Sequence, residues 1–200
     1  MKIALIYTPR CGSTSLFHYF RELKKEYRCI NEPWFEWMIQ NVHKAENKYE
    51  DLIKEETLFI KSAYRTLPVP IERIINDFDK VIFLLRKNTR EQAESGALVE
   101  LEEGYLNTST RKYWTDLITE DELKRYKDRF IFLNGILTDA SIKYKKPLFY
   151  YEDLYYNDFT PIFKELGLTH DEVMYKKYLD PNKKYRMDGT VETKKTKTLF

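Results

Sequence analysis

Residues 2–14 read KIALIYTPRCGST, and this stretch decides the fold. Lys2–Tyr7 is a short continuous apolar run, the pattern of a strand buried on both faces. Thr8-Pro9-Arg10-Cys11-Gly12 is a turn, and from Ser13 the apolar residues Leu16, Phe17, Phe20 and Leu23 follow helical spacing. Strand, glycine-bearing turn, helix is an arrangement that binds phosphate. Backbone N–H groups at the helix start face the anion, and the helix dipole favours negative charge. Gly12 lets the backbone come close, Ser13 and Thr14 bring hydroxyls to the first turn, and Arg10 adds a cation. An ordinary strand–helix connection with Ser13 as N-cap has the same local sequence. The loop is not the ATP-binding GxxxxGK[ST] pattern. It has one glycine, no Lys before Ser13-Thr14, and a cation that comes earlier. A different anionic nucleotide is implied.

Outward from this unit, strands and helices alternate. Tyr27–Ile30, Thr57–Ile60, Lys80–Leu85 and Pro147–Tyr151 read as further strands, with KVIFLL (80–85) the clearest buried one. Helices are expected from Pro33 toward Val42, over Pro70–Phe78, and from Thr89 to about Val99. A long helix opens at the capping-box stretch Thr119-Glu-Asp-Glu122 and runs toward Tyr144, and another spans Phe159–Leu166, stopped by Gly167. Glu100–Thr119 carries no clear pattern, and nothing periodic follows Leu179. The spacing predicts an α/β fold of three layers, a five-stranded parallel sheet flanked by helices, similar to P-loop nucleotide kinases.

Two hundred residues and 24.3 kDa fit one domain over 1–200, with 179–200 a basic C-terminal segment. A composition of 42% hydrophobic and 33% charged residues excludes general disorder. The net charge of +2 argues against a protein that grips nucleic acid backbone. Between Lys183 and Lys197, however, six cations stand against Asp188 and Glu192. Cys11 and Cys29 form no CxxC pair, so neither a disulfide framework nor a structural zinc site is expected. No apolar run reaches the roughly 18 residues of a membrane span. The block Ile3–Tyr7 is too short for a signal-peptide core, so the expected location is the cytoplasm.

Four segments, in order, resemble the sulfotransferase superfamily that uses 3′-phosphoadenosine 5′-phosphosulfate (PAPS). Its phosphosulfate loop reads roughly [KR]-x-G-[ST]-T after a first strand, and Arg10-Cys11-Gly12-Ser13-Thr14 matches it. The Arg and Ser-Thr form is closer to bacterial and Golgi-type carbohydrate sulfotransferases than to the cytosolic steroid and phenol enzymes. KVIFLLR (80–86), with Ser95 nine positions after Arg86, resembles the 3′-phosphate site; many members space the pair by eight. Ile60-Lys61-Ser62-Ala63 before Leu67-Pro68 resembles the strand-3 KxH…LP segment, with Ala63 where the cytosolic enzymes keep a catalytic histidine. Tyr150-Tyr151-Glu152-Asp153-Leu154, followed by Leu166-Gly167-Leu168, resembles the YEDL…LGL segment. The resemblance implies that Arg10, Cys11, Gly12, Ser13, Thr14 and Ser15 hold the 5′-phosphosulfate. It further implies that Arg86 and Ser95 bind the 3′-phosphate, that Tyr151 lies near adenine, and that Lys61 and Arg10 serve the leaving group. PAPS would be donor and adenosine 3′,5′-bisphosphate (PAP) product, with no metal. The glycine-rich C-terminal element of the cytosolic enzymes has no clear counterpart; Lys183–Lys197 is either its substitute or a solvated tail.

Sulfuryl transfer to a hydroxyl needs a base, because the acceptor proton must leave as the S–O bond forms. His18 sits one turn into the first helix, and His43 and His170 lie in polar stretches. Glu32 follows the second strand in Asn31-Glu32-Pro33-Trp34, at the edge where strand C-termini gather ligands. Glycan, tyrosyl-protein and bacterial carbohydrate sulfotransferases use a Glu in this region, so Glu32 is the expected base. Trp34, Phe35 and Trp37 either line an acceptor site or belong to the core. The expected activity is sulfuryl transfer from PAPS to a small-molecule or glycan hydroxyl. The alternatives are a small nucleotide or nucleoside kinase, which would need a loop Lys, and a non-catalytic nucleotide-binding module.

Overall fold

Every residue of β1 (Lys2–Tyr7) after Lys2 is buried, which follows from its central place in the sheet. The computed structural model describes residues 1–34, 42–104, 118–179, 183–185 and 191–193. Chain order runs from β1 through α1 (Ser13–Leu23), β2 (Arg28–Asn31), α2 (Val42–Leu52), β3 (Leu58–Ala63), α3 (Ile71–Asp77), β4 (Lys80–Leu85) and α4 (Thr89–Gly104). It continues through α5 (Glu120–Tyr144), β5 (Leu148–Tyr150), α6 (Tyr151–Tyr156), α7 (Thr160–Leu166) and α8 (Glu172–Tyr178). The five strands form one parallel sheet, as the alternation predicts, and their order is β2-β3-β1-β4-β5.

Period-two alternation divides the core. Ile3, Leu5 and Tyr7 face a layer built on Phe17 and Phe20 of α1, Leu154 of α6 and Phe163 of α7. Ala4 and Ile6 face the opposite layer, with Tyr49 of α2, Ile74 of α3 and Leu137 of α5. Ala93 and Ala97 of α4 pack on Tyr126 and Phe130 of α5 in a smaller third cluster. Connections leave β1 toward β2 on one side and cross back to β4 on the other. Such a reversal opens a crevice at the strand C-termini where α/β folds bind ligands.

Local signals mark several boundaries. Thr119 Oγ1 accepts from Glu122 N–H at 3.2 Å, and the Glu122 carboxylate accepts from Thr119 N–H at 2.9 Å, closing the expected capping box. Gly167 ends α7 at φ 65°, and Leu168 N–H bonds Phe163 O at 2.8 Å.

Other expectations need correction. β2 is Arg28–Asn31, one residue later than predicted, and β3 continues to Ala63. β5 is only Leu148–Tyr150, because Tyr151 opens α6 instead of closing the strand. Pro33 and Trp34 form a turn, and the rest of the helix expected toward Val42 lies outside the described residues. Helix α4 extends to Gly104, into the stretch without a clear pattern. Helices α2, α6 and α8 were not anticipated. After Leu179 the chain pairs β6 (Lys183–Tyr185) with β7 (Val191–Thr193) in an antiparallel ladder, where no structure was expected. Three-residue strands are too short to leave a readable period.

Candidate active site

The loop after β1 is built on two left-handed residues. Arg10 has φ 69° and Gly12 φ 78°. Gly12, not Ser13, is the residue that caps α1, and it brings no side-chain bond to the cap. A Cβ on Gly12 would stand 2.7 Å from Tyr155 Cε2 and 2.8 Å from Tyr151 Cδ2, so glycine is required both by conformation and by space. The Tyr155 hydroxyl donates to Gly12 O at 2.9 Å and holds the loop from below. Cys11 is wholly buried, and burial pushes its thiol up to about 11, so its side chain is not offered to a ligand. Ser13 is buried at the first turn, while Thr14 and Ser15 are partly open.

A second strand end delivers Arg86. Its Nη1 donates to Arg10 O at 3.3 Å, and its guanidinium lies 4.8 Å from the Tyr151 ring centroid. Nη2 pairs with Glu91, which is half-exposed. Nε is buried without a hydrogen bond, with Glu152 Oε1 at 3.7 Å. Arg10 Nε donates to Ser95 Oγ at 2.8 Å, so the loop and α4 meet through two residues assigned to opposite ends of the nucleotide. Tyr151 is 7% exposed beneath Arg86, and burial raises its phenol to about 12.

Lys61 is 1% exposed on β3. Its Nζ donates to Asn31 Oδ1 at 2.8 Å and Thr14 Oγ1 at 3.2 Å, and it lies 3.3 Å from Glu32 Oε1. It also sits 4.7 Å above the Tyr7 ring centroid. Burial lowers the proton affinity of the Lys61 amine, and the Glu32 carboxylate works against that shift. Glu32 Oε1 accepts from the Tyr7 hydroxyl, and Oε2 accepts from Ala63 N–H at 3.1 Å. Arg10, Lys61, Glu32 and Arg86 thus stand at the C-terminal ends of β1, β3, β2 and β4.

The remaining predicted residues divide. His18 is 4% exposed between Phe17 and Tyr178, and burial, with Arg21 and Lys61 nearby, lowers it to about 4. It is a neutral core imidazole. His170 pairs with Glu172 at 2.9 Å on the surface. Trp34 is fully buried against Tyr49, a core residue that offers no face to an acceptor. The side chains of Phe35, Trp37 and His43 lie outside the described residues, as do those of the Lys183–Lys197 charge cluster.

Several supporting residues escaped the sequence reading. Gln92, fully buried, donates to Thr8 Oγ1 at 3.0 Å and Pro9 O at 2.7 Å. Asn134 Nδ2 links Gln92 Oε1 at 3.3 Å to Arg86 O at 3.0 Å. Glu152 accepts from Lys87 N–H at 2.8 Å and Asn88 N–H at 2.9 Å, tying the turn after β4. The i, i+3 spacing of Gln92 and Ser95 places both on one face of α4, and that was the available signal.

Among the described residues no helix is long and apolar enough to cross a membrane, and no three His, Cys, Asp or Glu are grouped to hold a metal. Neither a protein-family model nor a curated protein matches the chain. Among solved structures, the mouse sulfotransferase SULT7A1 complexed with PAP matches with a TM-score of 0.52 at 16% identity, over 89% of this chain. The match spans 63% of that enzyme's chain, less than two thirds of its length. With a five-stranded parallel sheet whose first turn carries the loop at Gly12, this chain has the sulfotransferase fold.

Proposed function

We propose that the chain is a sulfotransferase that takes the sulfuryl group of PAPS and transfers it to a hydroxyl, with a carbohydrate as acceptor. The observation that supports the reading is the meeting of Arg86, Arg10 and Ser95 beside the loop. Arg86 bonds the carbonyl of Arg10, and Arg10 bonds Ser95, so a nucleotide charged at both its 5′ and 3′ ends finds a cation at each. The fit extends to detail. The buried Arg86 Nε lacks a hydrogen bond, and Glu91 at 51% side-chain exposure can swing aside for a phosphate. The carbohydrate acceptor is supported by the Arg10/Ser13-Thr14 form of the loop and by Glu32 before Pro33. A Lys directly before Ser13-Thr14 would favour a kinase; the loop has Gly12 there.

PAPS, when bound, supplies the activated sulfuryl group and a phosphate leaving group. The chain's own residues do the rest. Backbone N–H groups of residues 11–14 and the hydroxyl of Thr14 orient the 5′ end. Arg10 and Lys61 face the oxygen on which charge grows, and fixed cations there favour the transition state over the ground state. Glu32, a strand away, accepts the acceptor's proton.

The test is calorimetric titration with PAP, 5′-AMP and ATP. PAP binds more tightly than 5′-AMP, because only PAP fills both anion sites. Arg86→Ala removes most of that difference, about 1.5–3 kcal/mol for a charge-assisted contact. Equal affinity of the wild type for PAP and 5′-AMP overturns the assignment; turnover-free PAP binding with every hydroxyl tried favours a nucleotide-binding module.

A further inference from the structure

Glu32 reaches back across the sheet to contact two other strands. Its backbone N–H bonds Lys61 O at 2.8 Å, one step beyond β2, and its φ of 48° then turns the chain. That turn brings the side chain over the ends of β3 and β1, where Ala63 and Tyr7 are register partners. The two carboxylate oxygens are not equivalent. Among the described residues, Oε1 accepts from the Tyr7 hydroxyl and faces Lys61 Nζ at 3.3 Å, whereas Oε2 accepts from Ala63 N–H alone. A carboxylate oxygen has two lone-pair directions, so Oε1 is filled and Oε2 keeps one.

We propose that Tyr7 is a positioning residue for Glu32: with Lys61 it occupies Oε1 and leaves Oε2 as the oxygen that takes the acceptor's proton. The proposal rests on the sulfotransferase reading of this site. In that step the acceptor O–H bond breaks as its oxygen bonds sulfur. The proton goes to Oε2, and the electron pair of the cleaved S–O bond leaves on the nucleotide phosphate. Proton uptake also neutralises Glu32, which removes the counter-charge of Lys61 as negative charge develops on the leaving oxygen. Lys61 is anchored to Thr14, in the first turn beside that oxygen's expected place. Tyr7 therefore fixes which oxygen reacts, and it does so without touching the substrate.

Tyr7→Phe keeps the ring that packs in the core beneath Lys61 and removes only the hydroxyl. Difference infrared spectra, wild type minus Glu32→Gln, isolate the Glu32 carboxylate stretching band without any nucleotide. In the Tyr7→Phe background that band changes frequency, because Oε1 has lost a hydrogen-bond donor. Hydrolysis of PAPS by water, read as PAP release, falls about 10-fold or more in Tyr7→Phe, while PAP affinity holds within twofold. Added to Glu32→Gln, Tyr7→Phe costs nothing further, since it acts only through that carboxylate. An unmoved infrared band, or a full Tyr7→Phe loss on top of Glu32→Gln, overturns the role of Tyr7 alone. Failure of the wild type to bind PAP overturns the sulfotransferase reading and this proposal with it.

Discussion

Gly12→Ala perturbs the loop at one atom, and the other glycines calibrate the effect. The new Cβ lies 2.7 Å from Tyr155 Cε2, 2.8 Å from Tyr151 Cδ2 and 2.9 Å from Tyr151 Cε2, on a residue with φ 78°. The left-handed conformation costs a residue bearing a Cβ about 1–2 kcal/mol. Displacing two stacked rings in a packed layer costs a further ~1–3 kcal/mol. Gly12→Ala therefore loses about 2–5 kcal/mol of folding free energy, a large part of a typical domain's stability. Gly167 has φ 65° with no atom within 4 Å of its Cβ position, so Gly167→Ala reads the conformational cost alone, about 1–2 kcal/mol. Gly135 lies within α5 with its Cβ position equally open, and Gly135→Ala gains up to ~1 kcal/mol of helix propensity. Urea unfolding followed by circular dichroism measures all three variants. PAP affinity falls at least about 10-fold in Gly12→Ala, because Tyr151 also carries Arg86, and stays unchanged in the other two. Equal losses for Gly12→Ala and Gly167→Ala would show that the tyrosines yield freely, and the argument for a close-fitting loop would fail.

Three further outcomes are expected. Arg10→Ala lowers kcat for PAPS turnover by ~10²-fold, the usual loss for an electrostatic donor to the transition state; a rise in KM with kcat unchanged would make Arg10 a binding residue only. His18, lowered from 6.5 to about 4, refuses in the folded state a proton that the unfolded chain accepts. Its contribution is therefore complete above pH 6.5 and lost as pH falls toward 4. The loss is on the order of 3 kcal/mol, read as wild type minus His18→Leu in urea unfolding across that window; a flat difference refutes the burial argument. Gln92→Leu leaves the Pro9 carbonyl and the Thr8 hydroxyl without their buried donor, costing about 1–3 kcal/mol of stability. It also weakens PAP binding from behind the loop, and calorimetry showing wild-type PAP affinity would refute that positioning role.

The parts of the site legible in the sequence are those whose chemistry is local. KIALIY and KVIFLL announce buried strands by their apolar runs, and a glycine directly before a helix announces a close backbone approach. Arg86 directly follows such a strand, and its expected role comes from the resemblance of KVIFLLR to the 3′-phosphate segment. Gln92 is, by its neighbours in sequence, one more polar residue on a helix. Nothing adjacent in sequence says that its amide is wholly buried against Thr8 and Pro9, more than eighty residues away. Tyr151 was read as the end of a strand because an aromatic run fits β structure as well as it fits helix, and the choice was made by packing on Gly12 and Tyr155.

From its own sequence this protein has its fold class, the glycine-bearing loop between its first strand and first helix, the strands that lead to Arg10, Lys61 and Arg86, and the capping box of its longest helix. Each rests on hydrophobic periodicity or on a backbone bond made within a few residues. Tertiary structure alone decided the order β2-β3-β1-β4-β5, which brings Glu32 beside β3 and Arg86 beside Arg10. It also decided that Glu32 turns back onto Tyr7 and Ala63, that Arg10 meets Ser95, and that His18 and Trp34 sink into the core. The physical reason is that strand pairing and burial are contacts between segments far apart in the chain. Their free energy exists only once the sheet has closed, so no local pattern records it.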